Sequence, residues 1–488
     1  MANYYGIDFG TTNSAVYSIA EINGEISEEF PIGEDDRQPL PSFVAINKHT
    51  GEVVTGKTAK DTLILDEDYE IFSSIKSVID SEKEWEIAGK TWSPVDIAAE
   101  LFKSLKAKAE SRTHVAMEEA VVAVPVGFDS KKKYNVRKAA YEAGIKVTMF
   151  VSEPTAAFVS RKPDMKKFHN VAVFDWGGGT LDVVVLRVEN NIVNEMAAGG
   201  IKLAGNDIDR ILAERVVLNA AEKLGKDFSF EDLPRTVQLR ILQKCEQAKC
   251  ALAADDTVNI ADAKLGDFGR MYEKVNYDFF SLLIENEIDQ AVKCLLKVLS
   301  EAGMNEESID CILCVGGSSR LRPLQRKLLK YFDRDKLIFP RKAMWDIATG
   351  VAQISYKPGC YTLNRPIGIV QSNNQFYELL KVGQRIPTEE KTVKFGLVET
   401  TDEARLILSD GDDADNQTFF EYFPVKLRGM TGELLEVSCY VDADMVFRMK
   451  VHSSYAPADV FRVWTYSNLK VSYELDAPDP NVRGDEND

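Results

Sequence analysis

The sequence lacks any apolar run of the length that a membrane-spanning helix needs, about 18 to 20 residues. Residues 1–8 also lack the basic segment and the apolar core of a secretory signal. The seven cysteines are odd in number and scattered along the chain, so they do not describe a disulfide framework. We therefore expect a cytoplasmic protein in a reducing compartment.

An excess of positive charge is also missing. Lys and Arg total 59, whereas Asp and Glu total 77, which gives a net charge of −18. Phosphate backbones and anionic lipid surfaces select basic proteins, so we expect no nucleic-acid partner and no membrane partner. The composition, 45% hydrophobic and 28% charged, is that of an ordinary globular protein. A chain of 488 residues is too long for a single core, so we expect at least two domains.

The pattern of the chain changes near residue 355. Before that point, short β-branched runs alternate with helix-like stretches, for example 207–224, 234–254 and 277–302. Strands separated by helices are typical of an α/β domain, which we assign to residues 1–355.

Beyond a linker at 356–363, the pattern contains only short alternating runs separated by Gly, Asp and Asn. This pattern predicts an antiparallel all-β domain over residues 364–475. Residues 476–488 are rich in Pro, Asp and Asn, and we predict an acidic disordered tail there.

A weak internal repeat relates two glycine-rich stretches. Residues 6–12 read GIDFGTT, and residues 173–180 read VFDWGGGT. Each stretch is an apolar strand, an Asp and a Gly/Thr run, and each is followed by another apolar run and a turn dipeptide. Asn23-Gly24, the first of these dipeptides, is a strong hairpin signal. We therefore predict that each glycine-rich stretch lies in a tight β-hairpin.

The two hairpins together predict a phosphate site. Glycine lets the backbone approach a phosphate closely, and threonine adds a hydroxyl. Asp8 and Asp175, each at a strand end, would face one another across a cleft. Two carboxylates suit Mg²⁺, which keeps several waters and also binds phosphate oxygens. The alternative is a pair of ordinary hairpins with solvated Asp residues.

Two other glycine motifs need separate interpretations. Residues 51–58, GEVVTGKT, match a Walker A pattern, but they follow a turn and read as a return strand, so we reject a phosphate loop there. Residues 315–320, VGGSSR, follow a buried-type strand and precede a helix. Such a loop could let a flat nucleoside lie against the backbone with Arg320 over its face. It could equally be a plain strand-to-helix turn.

These motifs together resemble the 70-kilodalton heat-shock chaperone (DnaK-type) family within the actin-like ATPase superfamily. The resemblance extends to about residue 475. Besides the three glycine motifs, it is carried by SIKS at 74–77, EPTAA at 153–157, LAGNDID at 203–209 and CEQAK at 245–249.

The resemblance implies an α/β actin-like (ribonuclease-H-like duplicated) ATPase domain followed by a β-sandwich substrate-binding domain. It implies slow ATP hydrolysis, in which Lys76 offsets γ-phosphate charge while Glu153, Asp175 and Thr180 complete the catalytic set. Asp8 and Asp175 would hold Mg²⁺ through its waters, with K⁺ nearby. The residues that it implies for binding ATP or ADP are Gly10, Thr11, Thr12, Asn13, Gly177, Gly178, Gly179, Thr180, Gly205, Glu246, Lys249, Gly316, Gly317, Ser318 and Arg320.

The sequence departs from the family in the adenosine pocket. Cys250 and Ala253 stand where the family carries Arg and Ser, and Met344 aligns with an Asp near the ribose. One of two guanidinium planes that stack on adenine is therefore missing, which predicts weaker nucleotide binding. The neighbouring Trp345 is a candidate for a compensating apolar contact.

The sequence also departs from the family beyond the ATPase domain. The Leu-rich run of the family linker is absent from 354–363, and the family's helical lid has no counterpart, so we expect a lidless protein. Two hypotheses remain open. One is a chaperone with polypeptide clients and co-chaperones, and the other is a regulatory or scaffold protein whose β domain binds one dedicated partner.

Overall fold

The computed structural model describes residues 2–65, 68–161, 167–372, 375–397, 401–411, 420–457, 459–467 and 469–475. The chain forms two compact units. The first contains Met1–Val126, Asn135–Val188 and Glu195–Lys357, and the second contains Gly127–Tyr134, Glu189–Asn194 and the chain from Pro358 onward. The tail predicted over 476–488 lies outside the described residues. Within the described ranges, no helix combines the length and apolar character needed to cross a membrane.

The strands that lie wholly or mostly in the first unit are short and numerous. In chain order they are β1 (Ala2–Asp8), β2 (Asn13–Ile22), β3 (Glu25–Ile32), β4 (Leu40–Pro41), β5 (Phe43–Asn47), β6 (Val53–Thr55), β7 (Tyr69–Ser73), β8 (Trp85–Ile87), β9 (Lys90–Trp92), β10 (Glu119–Val124), β11 (Lys146–Ser152), β12 (Asn170–Trp176), β13 (Leu181–Glu189), β14 (Ile192–Ile201), β15 (Thr257–Asp262), β16 (Met271–Asn276), β17 (Cys311–Val315) and β18 (Leu337–Ile338).

Helices alternate with these strands, as the sequence pattern predicted. They are α1 (Gly56–Leu65), α2 (Pro94–Thr113), α3 (Ser130–Glu142), α4 (Glu153–Ser160), α5 (Gly205–Leu224), α6 (Arg235–Ala251), α7 (Tyr277–Leu283), α8 (Glu285–Glu301), α9 (Arg322–Leu328) and α10 (Asp346–Tyr356). Short 3₁₀ turns cover Ile75–Val78, Ser318–Arg320 and Arg334–Lys336.

Two sheets of the first unit are built alike. In the first sheet, β1 pairs antiparallel with β2 and parallel with β10, within the order β11-β10-β1-β2-β3. In the second, β12 pairs antiparallel with β13 and parallel with β17, within the order β18-β17-β12-β13-β14. Each glycine-rich stretch joins the central strand to its antiparallel neighbour. The hairpin prediction is confirmed, and the weak sequence repeat corresponds to a repeated strand arrangement.

The Walker A-like residues do not form a phosphate loop. Val53–Thr55 is a strand that pairs antiparallel with β5, with Val44 opposite Thr55, and α1 begins at Gly56. A phosphate loop needs irregular backbone with free N–H groups between its strand and its helix. Because these residues are part of a sheet, the structure agrees with the rejection of this motif.

One predicted helix is two helices. The continuous pattern over 277–302 is interrupted at Ile284, where φ is −107° and ψ is 15°. Helix α7 ends at Leu283 and α8 begins at Glu285. Ile284 is fully buried in the core of the unit, so the break serves packing. No Gly or Pro marks this position, and periodicity alone therefore missed it.

In the second unit, the described chain from residue 358 onward forms strands only. They are β19 (Cys360–Leu363), β20 (Ile367–Val370), β21 (Phe376–Leu380), β22 (Arg385–Ile386), β23 (Lys391–Gly396), β24 (Glu403–Ser409), β25 (Phe420–Lys426), β26 (Leu434–Val441), β27 (Phe447–Ser453), β28 (Arg462–Tyr466) and β29 (Val471–Glu474).

Eight of these strands form two four-stranded antiparallel sheets, ordered β21-β20-β24-β25 and β23-β26-β27-β28. Both sheets contribute to one hydrophobic core, in which Leu408 and Phe423 of the first sheet join Val437 and Phe447 of the second. Strand β19, in the segment predicted as a linker, pairs antiparallel with β29 and β22.

Candidate functional site

A pocket of about 300 Å³ in the first unit collects the predicted site residues. With the exception of Gly205, every residue predicted for the site lines it. These are Asp8, Gly10, Thr11, Thr12, Asn13, Lys76, Glu153, Asp175, Gly177, Gly178, Gly179, Thr180, Glu246, Lys249, Gly316, Gly317, Ser318 and Arg320.

The two glycine hairpins meet at one end of this pocket. A Cβ on Gly10 would lie 2.0 Å from the carbonyl oxygen of Asn13, so the first turn needs glycine. Thr12 packs against the second turn, because a Cβ on Gly178 would lie 2.6 Å from Thr12 Oγ1. That hydroxyl is buried and has no hydrogen-bond partner among the described residues. An unsatisfied hydroxyl between two glycine turns fits a polar ligand such as phosphate.

Lys76 brings a positive charge to the same end. It lies in the turn Ile75–Val78, which follows Ser74 in the left-handed region at φ 58°. Lys76 Nζ donates to Glu153 Oε1 at 2.6 Å, and both side chains are largely buried. Glu153 opens helix α4, whose N-terminus is capped by Ser152. The left-handed backbone at Ser74 is strained, and strained backbone clusters at functional sites.

Negative charge is in excess around this lysine. Burial and, after it, the charge of Glu153 raise the pKa of Asp8 to about 7, although Lys76 acts to lower it. Burial also raises the pKa of Asp175 well above its usual value, with further contributions from Glu153, Asp182 and Asp8. Such crowded carboxylates would be stabilised by a cation.

The carboxylates fit Mg²⁺ bound through its waters. No described group of three or more His, Cys, Asp or Glu is placed to hold a metal directly. Mg²⁺ commonly uses one or two carboxylates, several waters and substrate phosphates. Asp8 and Asp175, each beside a glycine turn, would be the protein side of such a site.

Lys249 lines the pocket and makes two hydrogen bonds to neighbouring residues. Its Nζ donates to the carbonyl of Gly205 at 2.8 Å and to Asp209 Oδ2 at 2.7 Å. Ser318 Oγ donates to the carbonyl of Gly177 at 2.7 Å. Gly205 starts helix α5 behind the pocket wall, where a Cβ would lie 2.7 Å from Ser318 Oγ. Gly205 therefore has a packing role, although it does not line the pocket.

Another part of the pocket wall is more apolar. Gly316 has φ of +79°, and a Cβ there would lie 2.5 Å from Asp175 Oδ1, so this turn also requires glycine. Cys250, Ala253 and Met344 line the pocket, as their alignment with the family indicated. Trp345 does not line it.

The position of Trp345 rules out the compensating contact suggested from the sequence. Its side chain is only 4% exposed and packs in a cluster with Ala15 and Ala348. Met344 and Ile347, on either side of it, line the pocket instead.

Sequence reasoning missed two polar residues of the site. Asp182 accepts a hydrogen bond from Thr180 Oγ1 at 2.8 Å and lies opposite Asp175 in the hairpin. Strand alternation carried a usable signal, because residues 180 and 182 lie on the same face. Asn206 also lines the pocket, and its N–H donates to the carbonyl of Gly178 at 2.8 Å.

A family model described as Hsp70 protein matches residues 74–343, which is more than half of the chain. The chain belongs to the Hsp70 family. Members of this family are ATPases with an actin-like fold and bind polypeptide clients. The Hsp70 match includes Lys76, Glu153, the second glycine hairpin and the loop at 316–320. The first glycine hairpin lies outside the matched residues.

Proposed function

We propose that this Hsp70-family chain is a Mg²⁺-dependent ATPase that hydrolyses ATP slowly and acts as a molecular chaperone. The observation that supports this proposal is that two Asp-ended glycine hairpins and the Lys76–Glu153 pair line one pocket. The Asp, Thr and Gly residues at one end suit phosphates, and the apolar end with Arg320 suits a base.

The proposed chemistry is positioning and charge stabilisation. Phosphoryl transfer needs little covalent participation by the protein, and aligned charges provide most of the acceleration. Lys76 would offset charge at the γ-phosphate, while Glu153 and Thr180 orient the attacking water. Bound Mg²⁺ would neutralise phosphate charge. Gly10, Thr11 and residues 177–180 would hold the phosphates through N–H and hydroxyl groups.

Single-turnover ATP hydrolysis by the full chain tests this proposal. We expect Mg²⁺-dependent release of phosphate that EDTA abolishes, and a lower Mg²⁺-dependent activity in Asp8→Asn. Asp227→Asn, on an exposed carboxylate that does not line the pocket, is the control. Wild-type hydrolysis by Asp8→Asn across a Mg²⁺ titration would contradict the role given to the facing hairpins.

For the second unit we propose binding of extended apolar polypeptides. A second candidate is a nucleotide-switched scaffold with one dedicated partner, and the replacement of family residues by Cys250, Ala253 and Met344 favours it. A peptide array separates the two. Binding of many apolar peptides supports the chaperone, whereas a blank array together with one tightly bound cellular protein supports the scaffold.

A further inference from the structure

A half-buried carboxylate outside the nucleotide pocket contacts the start of helix α4. Glu195 lies on strand β14 of the second sheet and does not line the pocket. Its Oε1 accepts a hydrogen bond from the hydroxyl of Ser152, which is the last residue of strand β11 in the first sheet. Thr155 Oγ1 donates to the same oxygen at 3.4 Å. All three residues belong to the first unit, and their contacts link its two similar sheets.

The hydroxyl of Ser152 both accepts and donates in this cluster. Its Oγ accepts the N–H of Thr155 at 3.3 Å, which is the bond that caps helix α4. A hydroxyl has one hydrogen, so donating that hydrogen to Glu195 turns a lone pair of Oγ toward the helix N–H. Without Glu195, the hydrogen could turn to Thr155 Oγ1, which lies 2.9 Å from Ser152 Oγ. Glu195 therefore fixes the orientation of the cap.

The body of helix α4 is held by packing, whereas its first turn depends on the cap. A Cβ on Gly350 of helix α10 would lie 1.8 Å from the carbonyl oxygen of Ala156, so the two helices are in close contact there. The first N–H groups of a helix have no partner within the helix and are held by capping groups. Glu153 is the first residue of this turn, and its carboxylate accepts the 2.6 Å bond from Lys76. The orientation of the cap at Ser152 therefore affects where Glu153 lies.

We propose that Glu195 is a positioning residue for ATP hydrolysis. It acts through Ser152 and Thr155 to hold the first turn of α4, so that Glu153 stays aligned with Lys76 and with the attacking water. A misplacement of about 1 Å in a catalytic group can lower a rate by about 100-fold, so a contact outside the pocket is enough to matter. This inference rests on the proposed function, because it concerns the step that Lys76 and Glu153 support.

Single-turnover hydrolysis at saturating ATP, with the Kd of ADP measured by calorimetry, tests this role. Glu195→Ala should lower the hydrolysis rate by about tenfold or more, while the Kd of ADP changes by less than about twofold. Glu195→Gln keeps an oxygen that can accept both hydroxyl bonds and should hydrolyse ATP within about threefold of the wild-type rate. Glu189→Ala, at an exposed carboxylate on the neighbouring strand β13, is the matched control and should behave as the wild type does.

A double-mutant cycle tests whether Glu195 acts through the cap. Ser152→Ala should also slow hydrolysis, and adding Glu195→Ala to it should cost far less than Glu195→Ala costs the wild type, because residues in one network are not additive. Fully multiplicative losses would overturn the proposal. Equal losses in Glu195→Ala and Glu195→Gln would overturn it too, because the accepted hydrogen bonds would then have no role.

The two measurements also separate positioning from a general structural role. A loss of ADP affinity in Glu195→Ala that matches the loss of rate would show that the pocket as a whole is disturbed, and it would refute the proposal. A wild-type rate in Glu195→Ala refutes this inference alone. If the wild-type chain itself releases no phosphate, the proposed function fails and this inference fails with it.

Discussion

Lys76 is a charged side chain kept almost out of water. It is 5% exposed, and its ammonium group is held by the carboxylate of Glu153. Burying such a pair is unfavourable unless geometry and further bonds compensate for desolvation. A strained turn at Ser74 and a capped helix at Ser152 position the two partners. This arrangement is better explained by chemistry in the pocket than by stability.

We predict that Lys76→Ala lowers single-turnover ATP hydrolysis by about 10²- to 10³-fold, or about 3 to 4 kcal/mol. Binding of ATP should survive, because Thr11, Thr12 and the glycine turns remain. Lys57→Ala, at an exposed lysine outside the pocket, should hydrolyse ATP at the wild-type rate. An unchanged rate in Lys76→Ala would show that the lysine has been assigned the wrong role.

Substitutions at Cys250 test whether the adenine base binds next to this residue. It lies next to Lys249 at the end of helix α6, on the pocket wall. Cys250→Arg should tighten ADP binding by about 2- to 30-fold through a restored cation–π contact with the base. Calorimetry measures the change. Cys250→Ala should bind ADP as the wild type does, and equal affinities for all three proteins would contradict the prediction.

A helix and a hairpin of the first unit are joined by one buried carboxylate. Asp262, the last residue of β15, accepts hydrogen bonds from Arg240 and Lys244 of helix α6. Burial acts to raise the pKa of Asp262, but bonds from Arg240, then Lys244 and the N–H of Lys264, lower it well below the usual range. Asp262 is therefore stabilised as an anion in the folded state.

This linkage has a defined pH dependence. The stabilisation is fully present above the unfolded pKa of about 4 and is lost as the pH falls through the depressed folded value. Asp262→Asn should therefore lower the free energy of unfolding by about 2 kcal/mol at pH 7. The difference from wild type should shrink below about pH 4.

Urea unfolding at pH 7 and at pH 3 measures this difference. Asp256→Asn is the control, because Asp256 pairs with Arg322 while its side chain is 87% exposed, and such pairs contribute little. A difference between wild type and Asp262→Asn that stays constant between the two pH values would contradict the assignment.

The linker-like segment is part of a β-sheet. Residues 360–363 form β19, which is hydrogen-bonded on one side to β29 and on the other to β22. The sequence at 354–363 also lacks the Leu-rich run that links the two domains in the Hsp70 family. A segment held in a sheet would have to break these bonds before it could respond to nucleotide.

We therefore predict weak coupling between nucleotide and peptide. The affinity for a labelled apolar heptapeptide should change by less than about tenfold between ATP and ADP, which corresponds to less than about 1.4 kcal/mol. Fluorescence anisotropy with the full chain measures both affinities. The Lys76→Ala variant keeps ATP intact during the titration. A larger nucleotide dependence would restore an allosteric chaperone.

The sequence by itself determined the elements whose signals are local. Glycines must occupy turns where a Cβ would strike backbone, as at Gly10, and alternating apolar runs mark strands. The two Asp-ended hairpins, the rejection of the motif at 51–58 and the strands after residue 364 followed from such patterns.

Only the tertiary structure decided which distant residues meet. Lys76 and Glu153 are 77 positions apart, and their contact depends on a strained turn and a helix start that no local pattern relates. The break at Ile284 and the burial of Trp345 also arise from packing between elements. Packing selects among conformations that the local sequence allows equally, and therefore these features could be read only from the folded chain.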